Sequence, residues 1–186
     1  MKRRTPAGDV AGRTGIARSA VLLERREPDR LPMLEWLVSE KVYRQLLPGG
    51  SYYDFAEWIG YDAVSPCIGH VRSDIEWLDE EQTIFLDNWG VKRVHTSEDI
   101  PFPIEGPIKV PEDLENYRPT DPHADGILGE LPEIVERFKG NKAIAFMTRD
   151  AFNNPSYLRG VENLLIDFIE NPDLAHELAR MSIDYS

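Results

Sequence analysis

The sequence predicts an α/β protein in which short parallel strands alternate with helices. Three observations support this. Between Lys142 and Ser186, an apolar segment is followed by a polar turn and then by helical periodicity. Two earlier apolar segments, at 33–36 and 63–65, are separated by helical segments. An antiparallel ribbon is inserted at 74–95. Strand, loop and helix form the repeating unit of α/β barrels and doubly wound sheets. The loops that leave the carboxyl ends of such strands usually carry the chemistry.

Composition and charge exclude several classes of protein. Of the 186 residues, 41% are hydrophobic and 29% are charged, which is typical of a globular chain. No apolar run reaches the roughly 18 residues of a membrane helix, and the apolar core of a secretory signal is missing. Residues 1–30 carry a net charge of +4 and the remainder −16, so nucleic acid is excluded as a partner of the acidic body. The single cysteine, Cys67, predicts a cytoplasmic protein without an internal disulfide.

Proline, glycine and the spacing of apolar residues divide the chain into elements. Residues 1–14 lack periodicity and are expected to form a flexible leader to a folded region at 15–186. A β-hairpin with an extended ribbon is predicted within 74–95. Six prolines between Ile100 and Pro122 predict a mostly irregular segment there. Helices are expected over 15–26, 39–47, 52–59, 112–117 and 125–138.

The end of the sequence is predicted to hold two helices. Apolar residues recur at helical spacing from Tyr157 to Ile169, and Asn171 followed by Pro172 is a typical start for the second helix. Asn154 is predicted to be the N-cap of the first helix, with Pro155 at its first position.

The polar turn after the third predicted strand is the best candidate for a functional site. Arg149 offers a fork of donors that suits a carboxylate, and Asn153 and Asn154 stand where a helix N-terminus attracts anions. Tyr157, one turn further on, would donate a hydrogen bond or relay a proton together with Asp150. The alternative is structural: Asn154 only caps the helix, Arg149 pairs with Asp150, and Tyr157 packs in the core.

Two further observations concern the same region. Glu35 follows the apolar core of the first predicted strand and is expected to bind substrate in the same cleft as Asp150; the alternative is that it is only solvated at the edge of the core. Cys67 and His70 supply two potential metal ligands, whereas zinc needs three or four. The remaining histidines match no ligand set, so neither a metal nor another cofactor is expected within this chain.

The number of predicted strands falls short of a complete barrel. Three candidate parallel strands and 186 residues compare with eight strands and about 250 residues in a closed (β/α)8 barrel. An open part of a barrel would leave sheet edges and an interior uncovered. The chain is therefore expected to be truncated.

Six segments of the chain follow one another in a characteristic order, namely Arg25–Pro32, Gly60–Val64, Asp87–Val91, Glu105–Leu114, Tyr157–Leu165 and Asn171–Pro172. In this order and spacing they resemble the uroporphyrinogen decarboxylase superfamily, and most closely its methyltransferase-like members. The likeness runs from about Gly15 onward and covers the N-terminal half of a family protein. It implies part of a (β/α)8 TIM-type barrel with an inserted β-hairpin, and family members are often homodimers.

The resemblance also implies chemistry. Decarboxylases of the family remove carboxylates from a tetrapyrrole in haem biosynthesis without a cofactor. Relatives transfer methyl groups to or from corrinoids or thiols with the help of zinc, whose ligands lie in the C-terminal half. Tyr157 matches the family's catalytic tyrosine. The family's Arg-Gln-Ala-Gly-Arg signature is replaced by an acidic segment beginning at Glu35, and Ser65–Gly69 stands where the family has an aspartate.

Three functional hypotheses follow from these matches and departures. The first is a truncated barrel enzyme whose complete form is a methyltransferase that acts on a corrinoid or thiol, with a corrinoid protein as a possible partner. The second is a uroporphyrinogen decarboxylase. The third, from another class, is a non-catalytic remnant or a binding module that a partner completes.

Overall fold

The structure is a computed structural model that describes residues 14–66, 76–119, 121–146 and 150–185. In these ranges the chain is mixed α/β, with eight helices and two small sheets. In chain order the elements are α1 (Gly15–Leu23), α2 (Glu40–Leu46), α3 (Tyr52–Trp58), β1 (Ala63–Val64), β2 (Glu76–Trp77), β3 (Ile84–Leu86), β4 (Lys92–Val94), β5 (Phe102–Glu105), α4 (Asp113–Asn116), α5 (Leu131–Phe138), β6 (Ala143–Ile144), α6 (Asn153–Arg159), α7 (Val161–Glu170) and α8 (Pro172–Tyr185).

The chain divides into two compact units that alternate along the sequence. The first unit comprises residues up to 67 together with 130–146, and the second comprises 68–129 together with 147–186. The described residues contain no closed barrel, because their parallel sheet has two strands. The predicted leader lies outside the described residues apart from residue 14, which caps α1.

The parallel pair of the first unit joins segments far apart in the sequence. Strands β1 and β6 run parallel with Ala63 opposite Ala143. The predicted strands at 63–65 and 143–147 are thus confirmed as strands, although each contains two residues. Burial drives this pairing, since Val64 packs with residues of α3 and α5 in one apolar cluster. The cluster comprises Ala56, Val64, Ile134 and Phe138.

The strand predicted at 33–36 is wrong. The Asp62 main-chain N–H donates to the carbonyl of Met33, and the Asp62 carboxylate accepts from the Met33 N–H, so the segment lies beside β1. Its apolar side chains are nevertheless exposed, with Leu34 at 44%. A strand of a parallel sheet is normally covered on both faces, and that cover is missing among the described neighbours.

The ribbon of the second unit confirms the predicted hairpin. Strands β2, β3, β4 and β5 form an antiparallel sheet in that order. The carboxylate of Asp79 accepts from the main-chain N–H groups of Thr83 and Ile84 and closes the first turn. The expectation of an irregular segment at 100–122 is wrong in part, because β5 lies there. The one proline of β5, Pro103, is tolerated because β5 is an edge strand, where a missing N–H donor costs little.

Three helices, not two, complete the second unit. Gly160 has φ of +83°, which breaks the predicted apolar stripe into α6 and α7. Only part of that stripe is buried: Leu158 and Leu164 lie in the core, whereas Leu165 is 50% exposed. The core joins ribbon and helices, and its buried members are Trp89, Val91, Ile108, Leu158, Leu164, Leu174, Ala175 and Leu178.

The other helices follow the predicted positions closely, with one shortened. The helix expected at 125–138 begins at Leu131, since Pro132 occupies its first turn, where proline is accepted but further extension is not. In the parts of the chain that the structure describes, no helix has the length and apolar character needed to cross a membrane.

Candidate functional site

The carboxyl ends of β1 and β6 lie side by side in the first unit. Just beyond them, the buried Ser65 hydroxyl donates to the carbonyl oxygen of Ala145 at 2.8 Å. Residues 67–75 and 147–149 follow these two strands and lie outside the described residues. The predicted substrate-binding residue Arg149 and the pair Cys67 and His70 fall in those gaps.

Tyr52 lies near the end of β1 and contacts the predicted substrate-binding segment. Its hydroxyl donates to the main-chain carbonyl of Glu35 at 2.6 Å. Burial, with a further contribution from Tyr61, raises the pKa of Tyr52 to about 12. Tyr52 is therefore a protonated donor near neutral pH. The Glu35 side chain itself is exposed.

Asp150 caps the turn that leads into α6, whose N-cap position is Phe152. Its carboxylate accepts from the main-chain N–H groups of Phe152 at 2.9 Å and Asn153 at 2.7 Å, and the Asn153 amide donates to it at 3.3 Å. These main-chain bonds hold the pKa of Asp150 below its ordinary value. The prediction that Asn154 is the N-cap is wrong, because α6 already includes Asn154, which is fully buried.

Tyr157 lies against a buried arginine that was not among the predicted site residues. The Arg93 guanidinium carbon is 5.0 Å from the centroid of the Tyr157 ring. The Arg93 Nε donates to the Asp87 carboxylate at 2.7 Å, and both side chains are almost fully buried. The structure thus brings together Asp87, Arg93 and Tyr157, which we name the Arg93 cluster.

The Arg93 cluster had a signal in the sequence. In the predicted hairpin, the register that places Leu86 opposite Lys92 also brings Asp87 and Arg93 to neighbouring positions. The sequence alone indicates a turn at 87–90 and does not show that Asp87, in this turn, pairs with Arg93. Recognising it required the register rather than the composition of the turn.

The resemblance implies zinc for methyl transfer, and the described residues do not fit that metal. In the described ranges, no group of three or more His, Cys, Asp or Glu side chains is arranged to hold an ion. A zinc site needs at least three such ligands. No ligand set for zinc therefore exists in this part of the chain.

The capping role of Asp150 gives a testable expectation. Replacing Asp150 by alanine should destabilise the second unit by about 1 kcal/mol, the usual cost of losing a capping side chain. Asparagine at the same position should retain most of the stability. Because the pKa of Asp150 is lowered in the folded state, its contribution is present at neutral pH and is lost as the pH falls through that lowered pKa.

Urea unfolding of the Asp150 variants at pH 7 and at pH 3 measures this contribution. Solvent screening keeps the pH-dependent part small, since Asp150 is exposed. An alanine variant as stable as the original chain at pH 7 would remove the capping interpretation and return Asp150 to the list of catalytic candidates.

Comparison with protein-family profiles, with curated proteins and with solved structures found no match to this chain.

Proposed function

We propose that this chain supplies the first strand–helix units of an α/β barrel enzyme of the uroporphyrinogen decarboxylase type, and that it binds a small carboxylated or methylated molecule. The observation that carries the proposal is the parallel pairing of β1 with β6, whose carboxyl ends meet at one edge. In barrels and open α/β sheets the site lies at that edge. Ser65 follows β1 and donates to the carbonyl of Ala145 after β6, and Tyr52 donates to the main-chain carbonyl of Glu35.

Methyl transfer is favoured over decarboxylation of a porphyrinogen. A tetrapyrrole rich in carboxylates requires fixed cationic groups, and the segment at Glu35 is acidic instead. A buried serine, Ser65, stands where the decarboxylases of the family place an aspartate. The proposed substrate of the complete enzyme is therefore a methylated corrinoid or thiol, delivered by a corrinoid protein.

Two assays distinguish these reactions. Incubating the protein with uroporphyrinogen should yield no CO2, and release of CO2 would overturn the preference for methyl transfer. Titrating the protein with methylcobalamin should quench tryptophan fluorescence in a saturable way. Absence of saturable quenching would remove the corrinoid as ligand of this chain.

A pair of matched variants tests whether binding occurs at the strand ends. Ser65→Ala removes a buried hydroxyl that donates to a carbonyl at 2.8 Å, and Ser182→Ala removes a buried hydroxyl that donates to the carbonyl of Asp150 at the same distance. We expect the first variant to weaken methylcobalamin binding several-fold and the second to leave it unchanged. Equal effects of the two variants would place the ligand elsewhere.

A binding module that a partner completes is the second candidate, and one observation favours it. Helix α7 carries a row of exposed apolar side chains that is unusual for a monomer. The members of this apolar face are Val161, Leu165, Ile166, Phe168 and Ile169, with exposures of 49, 50, 51, 49 and 84%. Such a face favours association, as does a parallel sheet that has two strands in the described residues.

Association is measurable by sedimentation velocity. The isolated chain is expected to dimerise or aggregate at micromolar concentration, and replacing Leu165 and Phe168 by glutamine should shift it toward monomer. Leu128→Gln is the control, since Leu128 is 47% exposed and lies outside α7. A monomeric original chain with cooperative unfolding would contradict both the partner-completed module and the open-barrel proposal.

A further inference from the structure

We propose that Arg93 is the anchor of a binding site for a small carboxylate. The Arg93 side chain is 5% exposed, its Nε donates to Asp87, and its Nη1 donates to the carbonyl of Pro101 at 3.2 Å. The buried Nη2 has no hydrogen-bond acceptor among the residues that the structure describes. This proposal concerns the second unit and stands whether or not the chain belongs to a barrel enzyme.

The geometry of the turn explains why Nη2 lacks an acceptor. The Asp87 Oδ1 accepts from the main-chain N–H groups of Trp89 at 2.9 Å and Val91 at 3.0 Å. Only Oδ2 is therefore directed to Arg93, and it binds Nε. An arginine that meets a carboxylate in the usual two-point manner uses two of its nitrogens on two oxygens. Here the second nitrogen remains available because the turn occupies the second oxygen.

An available donor of this kind requires an acceptor. A buried guanidinium N–H that bonds to nothing has lost its water without replacement, and native proteins rarely retain such groups. A ligand oxygen that reaches Nη2 would remove this penalty. The binding free energy would thus come from removing the desolvation penalty of Nη2, which is already present in the folded chain without ligand.

The charge around Arg93 favours a carboxylate over other acceptors. Asp87 shares its negative charge with two main-chain N–H groups as well as with Arg93, so the guanidinium charge is only partly compensated. A carboxylate carries a single negative charge and lies in the plane of a guanidinium. Phosphate would bring nearly two charges close to Asp87 and would be repelled more strongly.

Tyr157 restricts the direction of approach. Its ring lies over one face of the Arg93 guanidinium at 5.0 Å, so a ligand must approach along the guanidinium edge. A flat carboxylate that lies in the plane of the guanidinium meets this restriction.

The test observes Arg93 directly in the full chain. Protein labelled with ¹⁵N in its arginines is titrated with propionate at pH 7, and the Arg93 side-chain resonance is identified by its nuclear Overhauser contacts with the Tyr157 ring. We expect a saturable shift of this resonance with propionate and none with the neutral isostere propionamide. Inorganic phosphate should give a shift at least about ten times weaker at equal concentration.

A pair of buried arginines provides matched variants. Arg93→Lys should weaken propionate binding by about 10-fold or more, since lysine cannot hold Asp87 and a second carboxylate in one plane. Arg159→Lys is the control, because Arg159 is also buried, bonds to Asp167 at 2.6 Å and donates its Nη1 to the carbonyls of Ile108 and Lys109. This control should bind propionate as the original chain does.

Several outcomes would overturn the proposal. A linear or absent response of the Arg93 resonance would show that no carboxylate binds there. Equal responses to propionate and propionamide would indicate a neutral acceptor such as water, and an equal response to phosphate would indicate a site for anions in general. If Arg93→Lys fails to fold, the titration of the original chain still decides between these outcomes.

Discussion

Replacing Asp62 by alanine is expected to destabilise the first unit by about 3 kcal/mol, the lower end for removing one partner of a buried ion pair. The Asp62 side chain is 2% exposed and is held by two arginines, with Arg18 Nη1 at 2.8 Å and Arg30 Nη1 at 2.7 Å. It also accepts from the Met33 N–H at 2.9 Å. Its loss leaves these donors without their acceptor in a region that also joins α1 to the parallel strands.

The contribution of Asp62 should depend on pH. Burial alone would raise the pKa of Asp62, but the bonds from Met33 and Arg18 and the nearby charges outweigh it, so the pKa lies below the ordinary 3.8. A carboxylate with a lowered folded pKa stabilises the fold above its unfolded pKa, and this stability is lost as the pH falls through the folded value. The first unit should therefore lose stability below about pH 4.

Hydrogen exchange monitored by mass spectrometry localises the effect of Asp62→Ala. Peptides that contain β1 and β6 should lose protection, whereas those of the ribbon should retain it. Asp29→Ala is the control, because Asp29 binds the same Arg18 but is 47% exposed, and its loss should have a much smaller effect. If both variants exchange alike, then Arg18 rather than Asp62 organises this region.

Gly106→Ala is expected to destabilise the second unit by about 3 kcal/mol or more, as severe overpacking does. A Cβ atom at Gly106 would lie 2.1 Å from the carbonyl oxygen of Leu158 and 2.3 Å from that of Tyr157. These are main-chain atoms at the end of α6 and cannot move aside alone. The bond from the Ile108 N–H to the Leu158 carbonyl, at 3.0 Å, would be disturbed as well.

Urea unfolding followed by tryptophan fluorescence measures the Gly106 effect, since Trp77 and Trp89 lie in the second unit. Gly129→Ala is the control, because a Cβ atom there meets open space. The left-handed backbone of Gly129 limits its expected cost to about 1 kcal/mol. Similar midpoints for the two variants would show that the ribbon and α6 can separate without loss of stability.

The elements that could be predicted are those whose signal is local. The hairpin, the two short parallel strands and most helices follow from apolar spacing and from proline or glycine at their ends. The residue that caps the start of α6 could not be predicted from such local signals, because Asp150 and Asn154 both suit an N-cap. Tertiary contacts decided between them: Asn154 is buried, and the Ser182 hydroxyl donates to the main-chain carbonyl of Asp150.

The contacts of the candidate site that the sequence did not predict have a common physical origin. The pairing of Arg93 with Asp87 depends on strand register, and the stacking of Tyr157 on Arg93 depends on how α6 packs against the ribbon. Apolar periodicity encodes neither the register of strands nor the packing of a helix on a sheet. The strand predicted at 33–36 was wrong for the opposite reason. Its local apolar pattern is present in the sequence, but the side chains are not buried, and a strand at this position would need that burial.

The distance in sequence between β1 and β6 has a consequence for synthesis in the cell. Ala63 pairs with Ala143, so the apolar end of β1 has no strand partner until 80 further residues have left the ribosome. The ribbon, whose strands are neighbours in sequence, can form during that interval. Newly made chains should accordingly expose a half-formed first unit for several seconds, and chaperones that shield apolar segments should bind them in that window.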